Sequence, residues 1–185
     1  MMKTMFCRAC ALPLALACAV VPGCREEAPK NSTKAASSQG AATLPGDLFT
    51  AVPLADSKDV LPTKREAKKG ERVVVRGRIG GSTEPFVGQR AIFTLADLSM
   101  PTCAQKGDDG CPTPWDYCCE PPNNITANTL TVQVVGADGK PLKTGLKGVS
   151  GLQPMAEVVV DGLVSQKPDD GTVTIDATGI FVKKP

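Results

Sequence analysis

Val73-Val74-Val75-Arg76-Gly77-Arg78-Ile79 is the stretch that decides the fold. Three β-branched residues in a row lead into alternation, with Val73, Val75, Gly77 and Ile79 on one face. That two-residue period belongs to a half-buried strand beginning at Arg72. Arg76 and Arg78 fall on the opposite face and project outward together. Gly80-Gly81 ends the strand. Toward the C-terminus the same signals predict strands over Ala91 to Leu95, Leu130 to Val135, Glu157 to Val164 and Thr172 to Val182. Gly162 inside the fourth marks a bulge or bend, and Pro168-Asp169-Asp170-Gly171 a turn into the fifth. Leu142 to Met155 is Gly-rich and poorly periodic, a loop with room for one helical turn. Toward the N-terminus, Thr63-x-x-Glu66 matches a capping box, predicting a short helix over Lys64 to Lys69 stopped by Gly70. An unstructured basic linker is the competing reading. Leu48 to Leu61 reads as an irregular segment packed on the domain.

Five strands are too few for most sandwiches and suit a small closed barrel. Val73 to Ile79, Phe93-Thr94-Leu95-Ala96-Asp97 and Val158-Val159-Val160-Asp161-Gly162-Leu163-Val164 together resemble the hydrophobic and glycine pattern of the OB-fold. A short helix ahead of the first strand also resembles small periplasmic OB proteins. The resemblance covers residues 63 to 182 and implies a five-stranded Greek-key barrel with a helix between the third and fourth strands. The fold expected is therefore mainly β: an OB-like Greek-key barrel with a short helix before strand one. A Cys-rich insertion, residues 97–128, would separate strands two and three. Such a pattern carries no chemistry of its own and implies no activity.

The insertion is unlike the rest of the chain. It reads Met100-Pro101-Thr102-Cys103, then Cys111-Pro112-Thr113-Pro114-Trp115-Asp116-Tyr117-Cys118-Cys119-Glu120-Pro121-Pro122, and holds the only Trp and the only Tyr. A long loop in a compact domain is usually functional or disordered, and paired cysteines with prolines argue against disorder. Four cysteines in an exported protein most often form two disulfides. Neighbouring Cys118 and Cys119 are strained as a direct pair, so Cys103 and Cys111 are each expected to bond one of them. The alternative is a metal site. Four thiolates suit zinc or an iron–sulfur cluster, although the spacing does not match Cys-x-x-Cys knuckles, and copper(I) could use the cluster with Met100. A reducible thiol pair is a further option. Trp115 and Tyr117 would form a small satellite core or stack on a ligand. Asp116 would cap a turn after Pro114, or serve a ligand amine or a metal.

The first 24 residues carry an address. Lys3 and Arg8 precede an apolar run, Ala9 to Val21, that is too short to span a bilayer and suits the core of an export signal. The run ends in Val21-Pro22-Gly23-Cys24, which resembles the bacterial lipobox. The resemblance implies a signal peptide over residues 1–23, cleavage before Cys24, and lipid on Cys24. Arg25 to Gly46 has no apolar periodicity and reads as a flexible tether, 24–46, to a domain over 47–185. Arg25, in place of an inner-membrane retention Asp, points to the outer rather than the inner membrane. Cys18, preceded by Leu16-Ala17, is a competing lipid site, and an ordinary cleaved signal a competing reading.

Composition excludes several functions. The chain has no histidine, which removes Ser-His-Asp and Cys-His nucleophiles and every His-ligated metal. No Gly-x-Ser-x-Gly elbow is present. With 18 Gly and 16 Pro, a turn-rich β protein fits better than a helical bundle. Without Lys3 and Arg8 the basic and acidic residues balance, so nothing draws the mature chain generally to nucleic acid. Arg76 and Arg78 could contact a polyanion, or stand as a solvated face of ion pairs. The expected role is a non-enzymatic, lipid-anchored envelope binding or assembly module with the braced loop as its contact surface. Its expected partners are the membrane, through lipid, and an envelope protein or polyanion. The alternative is a thiol-dependent metal or redox carrier using Cys103, Cys111, Cys118 and Cys119. No cofactor is expected, a metal ion being the alternative.

Overall fold

The computed structural model describes residues 43–107, 110–169 and 171–184. The signal, Cys24 and most of the tether assigned above lie outside them. Among the described residues there are six strands: β1 (Lys58–Asp59), β2 (Arg72–Ile79), β3 (Ile92–Ala96), β4 (Thr129–Gln133), β5 (Glu157–Gln166) and β6 (Thr174–Val182). The two α-helices among these residues are short, α1 (Val60–Glu66) and α2 (Pro122–Ala127). Among the described residues no helix is long and apolar enough to cross a membrane.

The long strands pair in the order β2-β3-β4-β6-β5, and β5 pairs back onto β2 to close a five-stranded barrel. Four of the five seams are antiparallel, and β4–β6 is parallel. β1 adds a parallel two-residue extension on β2, matching Lys58 to Val75. Closure removes the unpaired edges that an open sheet would present.

The alternation in the sequence sets the register. Val75 and Ile79 point inward from β2, Phe93 and Leu95 from β3, Val132 from β4, Val158 and Val160 from β5, and Ile175 and Ile180 from β6. All are buried in one continuous apolar core. The register slips between Asp161 and Gly162, where β6 carries Thr178 as an extra residue. A Cβ on Gly162 would stand 2.3 Å from the Asp176 carbonyl oxygen, so only glycine fits the bend. Leu48 packs into the core, and the Ile180 amide donates to its carbonyl, holding the irregular N-terminal segment on β6. Leu44, ahead of the expected domain start at 47, also packs against the core.

The helical expectations need correction. The helix near residue 64 runs over Val60–Glu66, not Lys64 to Lys69. Thr63 lies inside it, and its hydroxyl donates to the Asp59 carbonyl at 2.7 Å. Glu66 turns to Lys58 instead of closing a capping box. The N-terminal amide of Leu61 is satisfied from far along the chain, by Asp97 Oδ2 at 2.6 Å. Pro62 sits in the first turn, where a missing N–H costs nothing. Between β4 and β5 the OB resemblance implied a helix; a single 3-10 turn, Val149–Gly151, stands there.

Candidate metal centre in the loop between strands three and four

The Cys-rich segment leaves the barrel at Ala96 and returns at Thr129. Its neck is closed by the Asp97 amide, which donates to the Asn128 carbonyl at 2.9 Å. Asp97 is buried, and its second oxygen accepts the Ser99 amide and hydroxyl. Burial pushes the Asp97 carboxyl up, but these bonds and the Leu61 amide outweigh burial and hold it below its ordinary value. Lys64 spans the neck from α1, donating to the Thr126 and Thr129 carbonyls.

Local capping sets Cys103 and Cys118. Thr102 and Gln105 bond reciprocally, amide to side-chain oxygen, around the 3-10 turn Ala104–Lys106. This fixes Cys103 at the start of that turn with 1% of its surface exposed. Farther on, the Asp116 amide donates to the Thr113 carbonyl, Asp116 Oδ2 accepts the Thr113 hydroxyl, and Oδ1 accepts the Cys118 amide. Asp116 is thus the turn cap expected after Pro114. Tyr117 adopts φ 57°, a left-handed backbone that is strained for a bulky residue. Its buried ring holds it there, in a satellite core with Ala96, Met100 and Ile125. The reversal leaves Cys118 and Cys119 exposed and Cys111 half-buried.

The loop is docked on the barrel through the end of β2. The Trp115 carbonyl accepts the Gly81 amide at 2.7 Å, and Trp115 Nε1 donates to the Thr83 carbonyl at 3.0 Å. A Cβ on Gly80 would stand 2.5 Å from the Trp115 oxygen. Gly80-Gly81, read from sequence as a strand terminator, is also the seat of the loop. Arg78 reaches the Tyr117 hydroxyl at 3.4 Å and Glu157 at 3.6 Å. Arg76 pairs with Asp59 and Arg72 with Asp161. Every arginine on this strand therefore already has a carboxylate.

The sulfurs are not joined. Cys103, Cys111, Cys118 and Cys119 are all free thiols, so the expected disulfide pairing is not formed here. Instead the Sγ atoms of Cys103, Cys111 and Cys118 and a carboxylate oxygen of Asp116 gather within 4.8 Å of one another. Thiolates about 2.3 Å from a tetrahedral zinc ion stand roughly 3.8 Å apart, so the gathering has the scale of a metal centre. Cys119, next to Cys118 in the chain, is exposed and lies outside that group. Crowding disfavours ionisation. Burial above all raises the Cys103 thiol, with Cys111 adding to it and Cys118 opposing it, and the Asp116 carboxylate above all raises Cys118. Burial pushes Asp116 itself up, but the Thr113 hydroxyl and the Cys118 amide and thiol outweigh it and bring it below its ordinary value. Lys106 pairs with Glu120 and lies 3.5 Å from the Cys119 carbonyl, bringing a positive charge beside the thiols.

Of the residues singled out from sequence, the fold unites Cys103, Cys111, Asp116 and Cys118, with Cys119 alongside. It turns Tyr117 inward and leaves Trp115 half-buried against Thr83. Asp97, Lys106 and Glu120 were not foreseen. Only the position of Asp97, closing a strand directly before the Cys-rich segment, hinted at its role. No protein-family model matches this chain, and no curated protein does.

Proposed function

We propose that the chain is a lipid-anchored protein of the bacterial envelope that holds one thiophilic metal ion in the loop between β3 and β4. The observation carrying this reading is the meeting of three thiols and one carboxylate within 4.8 Å. Sulfur and oxygen donors together suit Zn²⁺. Copper(I) favours sulfur alone, and Met100 is packed with Tyr117 and Ala96. The absence of histidine leaves sulfur and carboxylate as the donors for such an ion.

The scaffold is, on this proposal, OB-like. The order β2-β3-β4-β6-β5 with closure onto β2, and the parallel β4–β6 seam, support that reading. The lipid anchor rests on the lipobox resemblance at Val21 to Cys24 and is tested separately. Cys24→Ser should move the chain from the membrane fraction to the soluble exported fraction.

For the metal, the intact reduced chain is titrated with Co²⁺ as a spectroscopic stand-in for Zn²⁺. Intense sulfur-to-cobalt charge-transfer bands saturating at one ion per chain, and bleached by Zn²⁺, are expected. No such bands, with all four thiols oxidised in freshly purified protein, would overturn the proposal. That result would return the loop to a disulfide-braced contact surface, a reading the closeness of the sulfurs also serves.

A further inference from the structure

We infer that one end of the barrel rests on an anionic membrane surface, with Arg90, Lys140, Lys143 and Lys147 against the lipid headgroups. The inference adds an orientation to the lipid-anchored reading above, on which it rests for bringing the chain to a membrane.

Two hairpin tips stand side by side at that end. The Val87 amide donates to the Ile92 carbonyl across the first, and a bridge between Val135 and Pro141 closes the second. The Ala91 amide donates to the Leu142 carbonyl at 2.9 Å and joins the two. Val87, Arg90 and Lys143 line one shallow cleft. A Cβ on Gly145 would lie 3.1 Å from the Gly88 carbonyl oxygen, so the segment leading to Lys147 is held against the first tip.

All four cations are exposed. Residues 85–96 and 134–156 hold a single carboxylate, that of Asp138, which accepts the Lys140 amide. Among the described residues no ion pair reaches any of the four, whereas Arg72, Arg76, Arg78, Lys58, Lys106 and Lys183 each meet a carboxylate. The cations are spread over two tips beside Val87, itself 46% exposed, and do not converge on one point. That spread suits a sheet of negative charge better than one small anion.

The chain also enters the barrel at this end. The Ile180 amide donates to the Leu48 carbonyl, and Phe49 and Thr50 share a cleft with Ser150 and Lys184. Ser150 belongs to the same connection, 134–156, that carries three of the lysines. A chain tethered by lipid is thus drawn in with its basic end foremost. The tether keeps the barrel near the surface, so weak contacts suffice. Each cation close to anionic lipid favours contact by about fivefold. The Cys-rich loop leaves the opposite ends of β3 and β4 and stays open to the exported compartment.

The test holds the intact lipidated chain on vesicles of phosphatidylglycerol or of phosphatidylcholine and follows acetylation of each lysine by mass spectrometry. The neutral amine reacts, and an anionic surface favours the ammonium. Lys140, Lys143 and Lys147 should therefore react about fivefold more slowly on phosphatidylglycerol. Lys68 and Lys69, ahead of β2 and between Glu66 and Glu71, should react equally on both. Salt at about 0.5 M, or Arg90→Glu with Lys143→Glu, should return Lys140 and Lys147 to their phosphatidylcholine rates. Equal rates on the two lipids, or slowing shared by Lys68 and Lys69, would overturn the inference. So would slowing by soluble polygalacturonate that neither vesicle produces, which would assign the surface to polysaccharide. A chain that fails to float with phosphatidylcholine would sink the lipid anchor, while the lysine rates with excess phosphatidylglycerol would still decide this inference.

Discussion

The barrel and the loop it carries are held by different means. In the barrel, backbone amides pair strand to strand and the inward residues are almost all Val, Ile, Leu and Phe. In residues 97–128, ladder bonds give way to side-chain caps: Asp97 on Leu61 and Ser99, Thr102 with Gln105, Asp116 on Thr113 and Cys118, Glu120 on Asn124. The barrel spreads its stability over many apolar contacts, which pattern alone specifies. The loop concentrates its order in a few polar bonds, in its seat on Gly80-Gly81, and in the donors that meet at one point. A change to the barrel should therefore act globally, and a change to the loop locally.

Phe93→Ala should produce the largest effect. The ring is fully buried, and its loss should cost about 3–5 kcal/mol in a denaturant titration, with every probe shifting together. Asp97→Ala sits at the junction and should cost about 2–3 kcal/mol, by stranding the Leu61 and Ser99 amides. Asp97 also gives the comparison a pH signature. Its folded carboxyl lies below the ordinary value, so its contribution is complete above that value and is lost as pH falls through the folded one. Asp97→Asn should flatten the fall of stability with pH below about pH 4. Gly80→Ala should cost about 1–3 kcal/mol, because its methyl collides with the Trp115 carbonyl. Its distinguishing mark is a red-shifted Trp115 emission while the far-UV circular dichroism of the barrel is kept. Uniform loss of both signals would show that the two regions are not separable. Arg76→Ala should come last, with the smallest shift of the denaturant midpoint in the series, because its pair with Asp59 is solvent-screened.

The same contrast explains what the sequence made legible. Alternation in Arg72 to Ile79 and Thr174 to Val182 located strands to within two residues at most of their boundaries, because burial on one face leaves a local trace. Gly162 was legible as a bend for the same reason. The start of α1 was not, since its amide is capped by a residue 36 positions away. α2 begins at a Pro-Pro pair and has no apolar stripe, so no period announces it. Reading cysteines by spacing separated them into pairs, while the fold brings three of them to one carboxylate from turns that no period encodes. The partners of Arg72 and Arg78 come from β5, across a seam that exists only once the barrel closes.

The central claim is that metal, and not sulfur–sulfur bonding, orders this loop. Native mass spectrometry of the intact mature chain, purified without chelator or added reductant, tests it most directly. The account predicts a mass carrying one zinc ion, which falls to that of the fully reduced chain when acid strips the metal. A metal-free mass lighter by the hydrogens of two disulfides would contradict it.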